Sequence, residues 1–188
     1  MKAPSARRRW RTALGAALAL MLTAALAGAV YPVWGPNDVA TTFFIAKSDD
    51  RNRVDYGMRL DAHCAPVSDD SMVLYWHEFE PPPPPRTHGL NFLDQRGYGI
   101  AGQRAVKRDE NGGDYVLRLR QVGRPIGIAS RRGADGHCAT IARTTINGKT
   151  AELLSIYVKL SGPFSVDYID IRGRSFTDGK PVVERLKR

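Results

Sequence analysis

The chain of 188 residues has only two cysteines, and no aspartate or glutamate precedes Asp38. It carries no Gly-x-Ser-x-Gly elbow, no His-Glu-x-x-His, no phosphate-cradling glycine loop and no Cys-x-x-Cys. The recognised nucleophilic, zinc-protease, nucleotide and dithiol constellations are therefore all missing, and no cofactor is implied. A long amphipathic helical pattern is missing too, which excludes the helical fold classes. At 43% hydrophobic and 25% charged, the composition is that of a globular domain rather than a disordered chain.

The missing early acids leave a cationic N-terminus unopposed. Lys2, Arg7, Arg8, Arg9 and Arg11 precede an uncharged apolar run from Ala13 to Val30, and Ala25-Leu26-Ala27 fits a small-x-small cleavage site. Residues 1–27 read as a signal peptide. The alternative is a retained anchor reaching residue 30, since the run meets the lower bound for a membrane span of about 18 residues. In that case Trp10, Tyr31 and Trp34 would mark the interfaces, with the arginines cytoplasmic. Either way the domain is exported, to the periplasm or beyond, and touches membrane only through this segment. No cysteine stands near the end of the run, so lipid attachment has no acceptor, and Arg7-Arg8-Arg9-Trp10 reads as an ordinary cationic leader. Without those five cations, 23 Lys and Arg face 19 Asp and Glu, leaving a net charge of +4 rather than +9. The remaining cations are scattered, with no aromatic-interleaved basic stripe, so nucleic acid is not the expected partner.

Residues 28–40 form a linker carrying Pro32, Gly35 and Pro36, and residues 41–188 form one domain. Ten strand-like segments follow: Thr41–Lys47, Arg53–Asp61, Met72–Phe79, Tyr98–Val106, Asp114–Val122, Pro125–Arg131, His137–Ile146, Thr150–Leu160, Phe164–Arg172 and Pro181–Leu186. Asn111-Gly112-Gly113, Asp135-Gly136, Asn147-Gly148 and Asp178-Gly179 supply hairpin turns. In Arg53–Asp61 the alternation is clean, with Val54, Tyr56, Met58 and Leu60 on one face and polar residues on the other, which predicts a half-buried strand. Pro81–Pro85 reads as a stiff spacer, and His88–Gln95 as one or two helical turns. The expected fold is all-β: a single antiparallel barrel or sandwich of about ten strands.

The stretches FFIAKSDDRNRVDYGMRLD, VLYWHEFE, GYGIAG and LLSIYVKLSGPFSVDYIDIRGRSFTDGKPVVERL, in that order and spacing, resemble the domain of unknown function family numbered 4833, over roughly residues 42–186. One departure is Asp50 within Ser48-Asp49-Asp50-Arg51-Asn52, where the family pattern has asparagine; the swap keeps the turn chemistry. The resemblance implies an exported β domain and no activity.

Two functional classes fit these residues. In the first, a non-catalytic envelope protein binds a small apolar or lipid-like ligand inside its barrel, or engages an envelope protein. The lining candidates are Tyr56, Met58, Trp76 (or Tyr75, parity open), Tyr98, Tyr157 and Tyr168, whose rings and single hydroxyls suit an apolar ligand with one polar end. The ordinary alternative is that these rings fill the core. In the second class an enzyme works around His77 and Glu78; the ordinary alternative is a partly exposed strand histidine. A structural adaptor, docking through an edge strand or the proline segment, is a third reading. Cys64 and Cys138, the sole pair in an oxidising compartment, are expected to form a disulfide. Two free thiols, or a zinc site recruiting His63 and His137, are the alternatives. Strand geometry opposes the metal, because adjacent residues point to opposite faces.

Overall fold

The computed structural model describes residues 39–48, 50–79, 86–162 and 165–187; the leader, the linker up to Asp38 and the Pro81–Pro85 run lie outside them. Among the described residues the order is β1 (Val39–Lys47), β2 (Arg53–Arg59), β3 (Met72–Glu78), β4 (Arg86–Gly89), α1 (Phe92–Tyr98), β5 (Ile100–Asp109), β6 (Gly112–Leu119), β7 (Pro125–Arg132), β8 (Cys138–Ile146), β9 (Lys149–Leu160), β10 (Val166–Ser175) and β11 (Pro181–Lys187). The all-β expectation holds, with eleven strands in place of ten. The added strand is β4, and the helix starts later than predicted. Asn91 caps it: the Asn91 side chain accepts from the Leu93 and Asp94 amides, while the Asp94 carboxylate accepts from the Asn91 amide, a reciprocal capping box.

Turn chemistry fixes the hairpins. Asn147 and Gly148 take φ of 49° and 76°, as a two-residue type I′ turn requires, and set Ile146 opposite Lys149. Gly112 has φ of 144°, and a Cβ there would lie 2.0 Å from the Ser130 carbonyl oxygen, so only glycine fits where β6 crosses β7.

All eleven strands belong to one sheet that does not close. Its order is β4-β3-β2-β1-β9-β8-β7-β6-β5, with β10 along the other edge of β9 and β11 beyond β10. One seam departs from the antiparallel expectation: β1 and β9 run parallel, from Phe44 opposite Ser155 to Lys47 opposite Val158. β9 is long enough to serve two neighbours on one edge. Its first half pairs β8 and its second half pairs β1. On the β10 side the register slips between Arg172 and Gly173, and a bulge at this changeover bends the sheet. The inner faces on both sides of the bend share one core, from Phe43, Val54 and Met58 to Leu117, Ile128 and Ile156.

Cys64 and Cys138 are joined, with Cα atoms 5.2 Å apart, so the free-thiol and zinc alternatives fall away. Cys64 is fully buried and His63 exposed, as strand parity suggested. The route differs, however, because β2 ends at Arg59 and Cys64 sits in a turn at φ 61°. The half-buried reading of β2 also needs correction. Its polar side is covered as well, with Asp55 only 2% exposed.

Candidate functional site

The six predicted lining residues divide between the two faces of the sheet. Tyr56 and Met58 are fully buried in the core. The Tyr56 ring stacks on Phe43 at 4.5 Å, its hydroxyl donates to the Tyr98 carbonyl, and burial raises its pKa. Trp76 stands opposite Val54 on β2, which settles its parity toward the core; Tyr75 faces the other way and shares a hydrogen bond with Thr41 Oγ1 at 2.9 Å. Trp76 meets Tyr98 edge-on at 5.5 Å and donates from Nε1 to the Asp94 carboxylate at 2.9 Å, tethering α1 to the sheet. Burial raises the Tyr98 phenol to about 12. Tyr157 and Tyr168, 6.3 Å apart, lie on the outer face. No single cavity takes in all six among the described residues.

Beside the Trp76–Tyr98 pair, an open cleft of about 470 Å³ runs between β3, the β4–α1 connection and the start of β5. Met72, Leu74, Leu90 and Ile100 supply apolar lining, with Arg59 and Asp70 at polar positions. Leu74, Leu90 and Ile100 are partly buried side chains packed on the core. Sequence reasoning missed this cleft because its walls come from four separate segments, and no local pattern marks their meeting.

On the outer face, cross-strand neighbours form one row over seven strands: Thr87, His77, Arg53, Ala46, Tyr157, Asp170 and Arg185. Two buried carboxylates anchor the polar clusters here. His77 Nδ1 lies 2.9 Å from Asp55 Oδ2, and Arg53 Nε 2.7 Å from Asp55 Oδ1. The Arg53 guanidinium sits over the Phe44 ring at 4.5 Å, and Phe79 stacks on the imidazole at 4.2 Å. His77 is 0% exposed, not the partly exposed residue expected. Its Nε2 is buried with no hydrogen-bond partner. A carboxylate on Nδ1 and a free Nε2 are the orienter and base of many nucleophilic sites, but among the described residues no hydroxyl or thiol completes the set. Glu78 turns to the opposite side and pairs with His88 Nε2 at 3.0 Å. The second carboxylate, Asp170, accepts from Arg185 Nε at 2.7 Å and Nη2 at 2.9 Å, and from Arg172 Nη2 at 3.3 Å. These cations hold its carboxyl below the ordinary range. Neither Asp55 nor Asp170 was a sequence candidate, since each occupies an ordinary polar position of an alternating strand.

Among the described residues no helix is long and apolar enough to cross a membrane, and no three His, Cys, Asp or Glu side chains gather to hold a metal ion. No curated protein and no solved structure gives a significant match to the chain. The family model of the domain of unknown function DUF4833 matches residues 43–185, from the first core aromatic of β1 to the Asp170 partner on β11. The chain belongs to the DUF4833 family.

Proposed function

We propose that the protein is an exported, non-catalytic binding domain that holds a small amphipathic molecule in the cleft between β3, α1 and β5. The observation that carries this is the cleft itself: its volume of about 470 Å³ falls in the range of small-molecule sites, and its surface joins the apolar Met72, Leu74, Leu90 and Ile100 to about as much polar surface, with Arg59, Asp70 and Gln95. The interior is filled by Tyr56 and its neighbours, so a ligand with an apolar body and one polar end has its place at the rim. Export is supported by the cationic and apolar leader and by the pairing of the only two cysteines.

Uptake of an apolar fluorophore, read through Trp76 emission with Trp76→Phe as the blank, tests the assignment. Stoichiometric uptake is expected, and Gln95→Phe should abolish it without lowering the melting temperature. Gln95 lines the cleft from α1, with its exposed side chain turned toward Leu90. Tyr56→Phe should leave uptake unchanged. No uptake by the native protein, or uptake indifferent to Gln95→Phe, would overturn the reading.

The catalytic reading has the His77–Asp55 pair in its favour, but both side chains are buried and Phe79 covers the imidazole, so a substrate has no approach to Nε2. The edge-strand adaptor reading meets a guarded edge at β5. There Asp69 accepts from the Ala105 amide at 2.9 Å, and Asp70 accepts from the Gln103 side chain at 2.9 Å. Such side-chain caps are a way of keeping an edge from pairing with another chain.

A further inference from the structure

On the outer face, across the sheet from the core, two arginines are held in a manner that an ordinary surface ion pair does not require. We propose that Arg172 and Arg185, seated on Tyr157 and Tyr168 and anchored by Asp170, form a binding site for an oxyanion, the phosphate or carboxylate group of a ligand distinct from the occupant of the cleft.

Asp170 is only 3% exposed although it lies on the outer face, because two guanidiniums and a tyrosine close over it. Asp170 and Asp167, the second within electrostatic reach of Arg185, balance the two arginines, so the net positive charge of the cluster comes from a third cation. Lys187, on the same face of β11 as Arg185 and opposite Tyr168, supplies it. The Arg185 guanidinium lies 3.7 Å from the Tyr168 ring centroid, and that of Arg172 5.0 Å from the Tyr157 centroid. A guanidinium stacked on a ring has one face covered and its hydrogen-bonding edge left free. The donors left over are specific. Among the described residues, Arg172 commits only Nη2, in a long 3.3 Å bond, and Arg185 commits Nε and Nη2. The second Nη2 hydrogen of Arg172, together with the Nε or Nη1 hydrogen parallel to it, presents two donors to the oxygens of a carboxylate or phosphate, and Arg185 Nη1 adds a third donor. Directly opposite Arg172 on β9 stands Ser155, small enough to leave room above the strand and able to donate from its hydroxyl. Both arginine side chains remain about half exposed, at 48% and 51%, so an anion reaches them without any movement of the fold. The stacked rings and the shared carboxylate fix the side chains in advance, which lowers the entropy lost on binding.

The experiment uses the full mature chain with its disulfide intact and follows arginine side-chain Nε–H resonances during titration with inorganic phosphate, and separately with acetate, at constant ionic strength. Saturable shifts at Arg172 and Arg185 are expected. Tighter binding of phosphate would assign a phosphate-bearing ligand, and tighter binding of acetate a carboxylate-bearing one. Arg172→Gln should weaken the preferred anion by about tenfold, as loss of one charge-assisted hydrogen bond implies, with only a small fall in melting temperature because Arg185 still holds Asp170. Arg104→Gln, on exposed β5, and Gln95→Phe, in the cleft, should leave the titration as it was. Shifts that grow without saturating, or an Arg172→Gln variant that binds as well as the native chain, would reduce the cluster to a strand-pinning ion pair and overturn the proposal. The cleft reading would be untouched by that result.

Discussion

β2 and β8 look alike in sequence and behave differently in the fold. Both alternate cleanly. In β8, Ala142, Thr144 and Ile146 turn inward while Ile141, Arg143 and Thr145 face water. In β2, Val54, Tyr56 and Met58 turn inward, yet Asp55 on the polar side is buried too. The outer side of β2 is roofed by its neighbours, with Arg53 lying over Phe44 and Phe79 and His77 closing on Asp55. Packing on that side is tight, since a Cβ at Gly57 would come within 2.1 Å of Val39. Alternation thus tells which residues share a face, and the neighbouring strands decide whether that face is wet.

The sharpest way to break this contrast is to remove the buried carboxylate. Asp55→Ala leaves Arg53 and His77 without their acceptor and is expected to cost about 3–5 kcal/mol in chemical denaturation. Arg143→Gln, on the wet side of β8, should cost no more than about 0.5 kcal/mol. Equal losses would show that the two faces do not differ energetically. Next comes the covalent link between the two regions, because the disulfide ties the β2–β3 loop to β8. Replacing both cysteines with serine should remove about 2–4 kcal/mol, measured as a lower denaturation midpoint, with a steeper slope because the unlinked chain exposes more surface when unfolded. An unchanged midpoint would mean that noncovalent packing alone joins them.

A smaller effect is expected at Asp170. Its native pKa is depressed from 3.8, foremost by hydrogen bonding to Arg185 and further by Arg172, against the opposing effect of burial. The stability it contributes is therefore full above that ordinary value and is lost as pH falls through the lower native one. The melting temperature should decline in acid below about pH 4, and Asp170→Asn should flatten that part of the decline; an identical acid limb would dissociate the carboxylate from the stability of β10 and β11. The least effect belongs to His88, exposed on β4, whose pKa is raised above 6.5 by hydrogen bonding to Glu78. Its contribution is present below 6.5 and disappears as pH rises through the raised value. At so exposed a pair it should be barely measurable, and His88→Gln should change the neutral-to-alkaline stability profile only marginally.

Local signals in the sequence led to correct structure. Asn147-Gly148 makes the turn it promises, Val54, Tyr56 and Met58 share the buried face, and two cysteines with no competitor find each other. What stayed hidden depends on partners distant in the chain. Nothing near Phe44 announces a parallel seam with Ser155. Tyr157 follows the core residue Ile156 in a strand apolar on both sides, so grouping it with Tyr56 was reasonable and geometrically wrong. His77 looked like a half-exposed residue because the Asp55 and Phe79 that bury it occupy polar or terminal positions in their own segments. The cleft needs Met72, Leu74, Leu90 and Ile100 together, a meeting that only the tertiary arrangement produces.

The parallel pairing of β1 with β9 has a kinetic consequence. β1 is the first described strand of the domain to be synthesised, and β2 can pair with it, and β3 with β2, at once, but its other edge waits until β9 emerges, after most of the domain has been made. Until then the amides from Phe44 to Lys47 form an open template for any extended chain nearby. A seam of such high sequence separation places the domain among slow folders, in the range of about milliseconds to seconds. The β1–β2–β3 meander is then an aggregation-prone intermediate, and a chaperone that shields the free edge of β1 would raise the yield of folded protein more than one acting on the C-terminal hairpin.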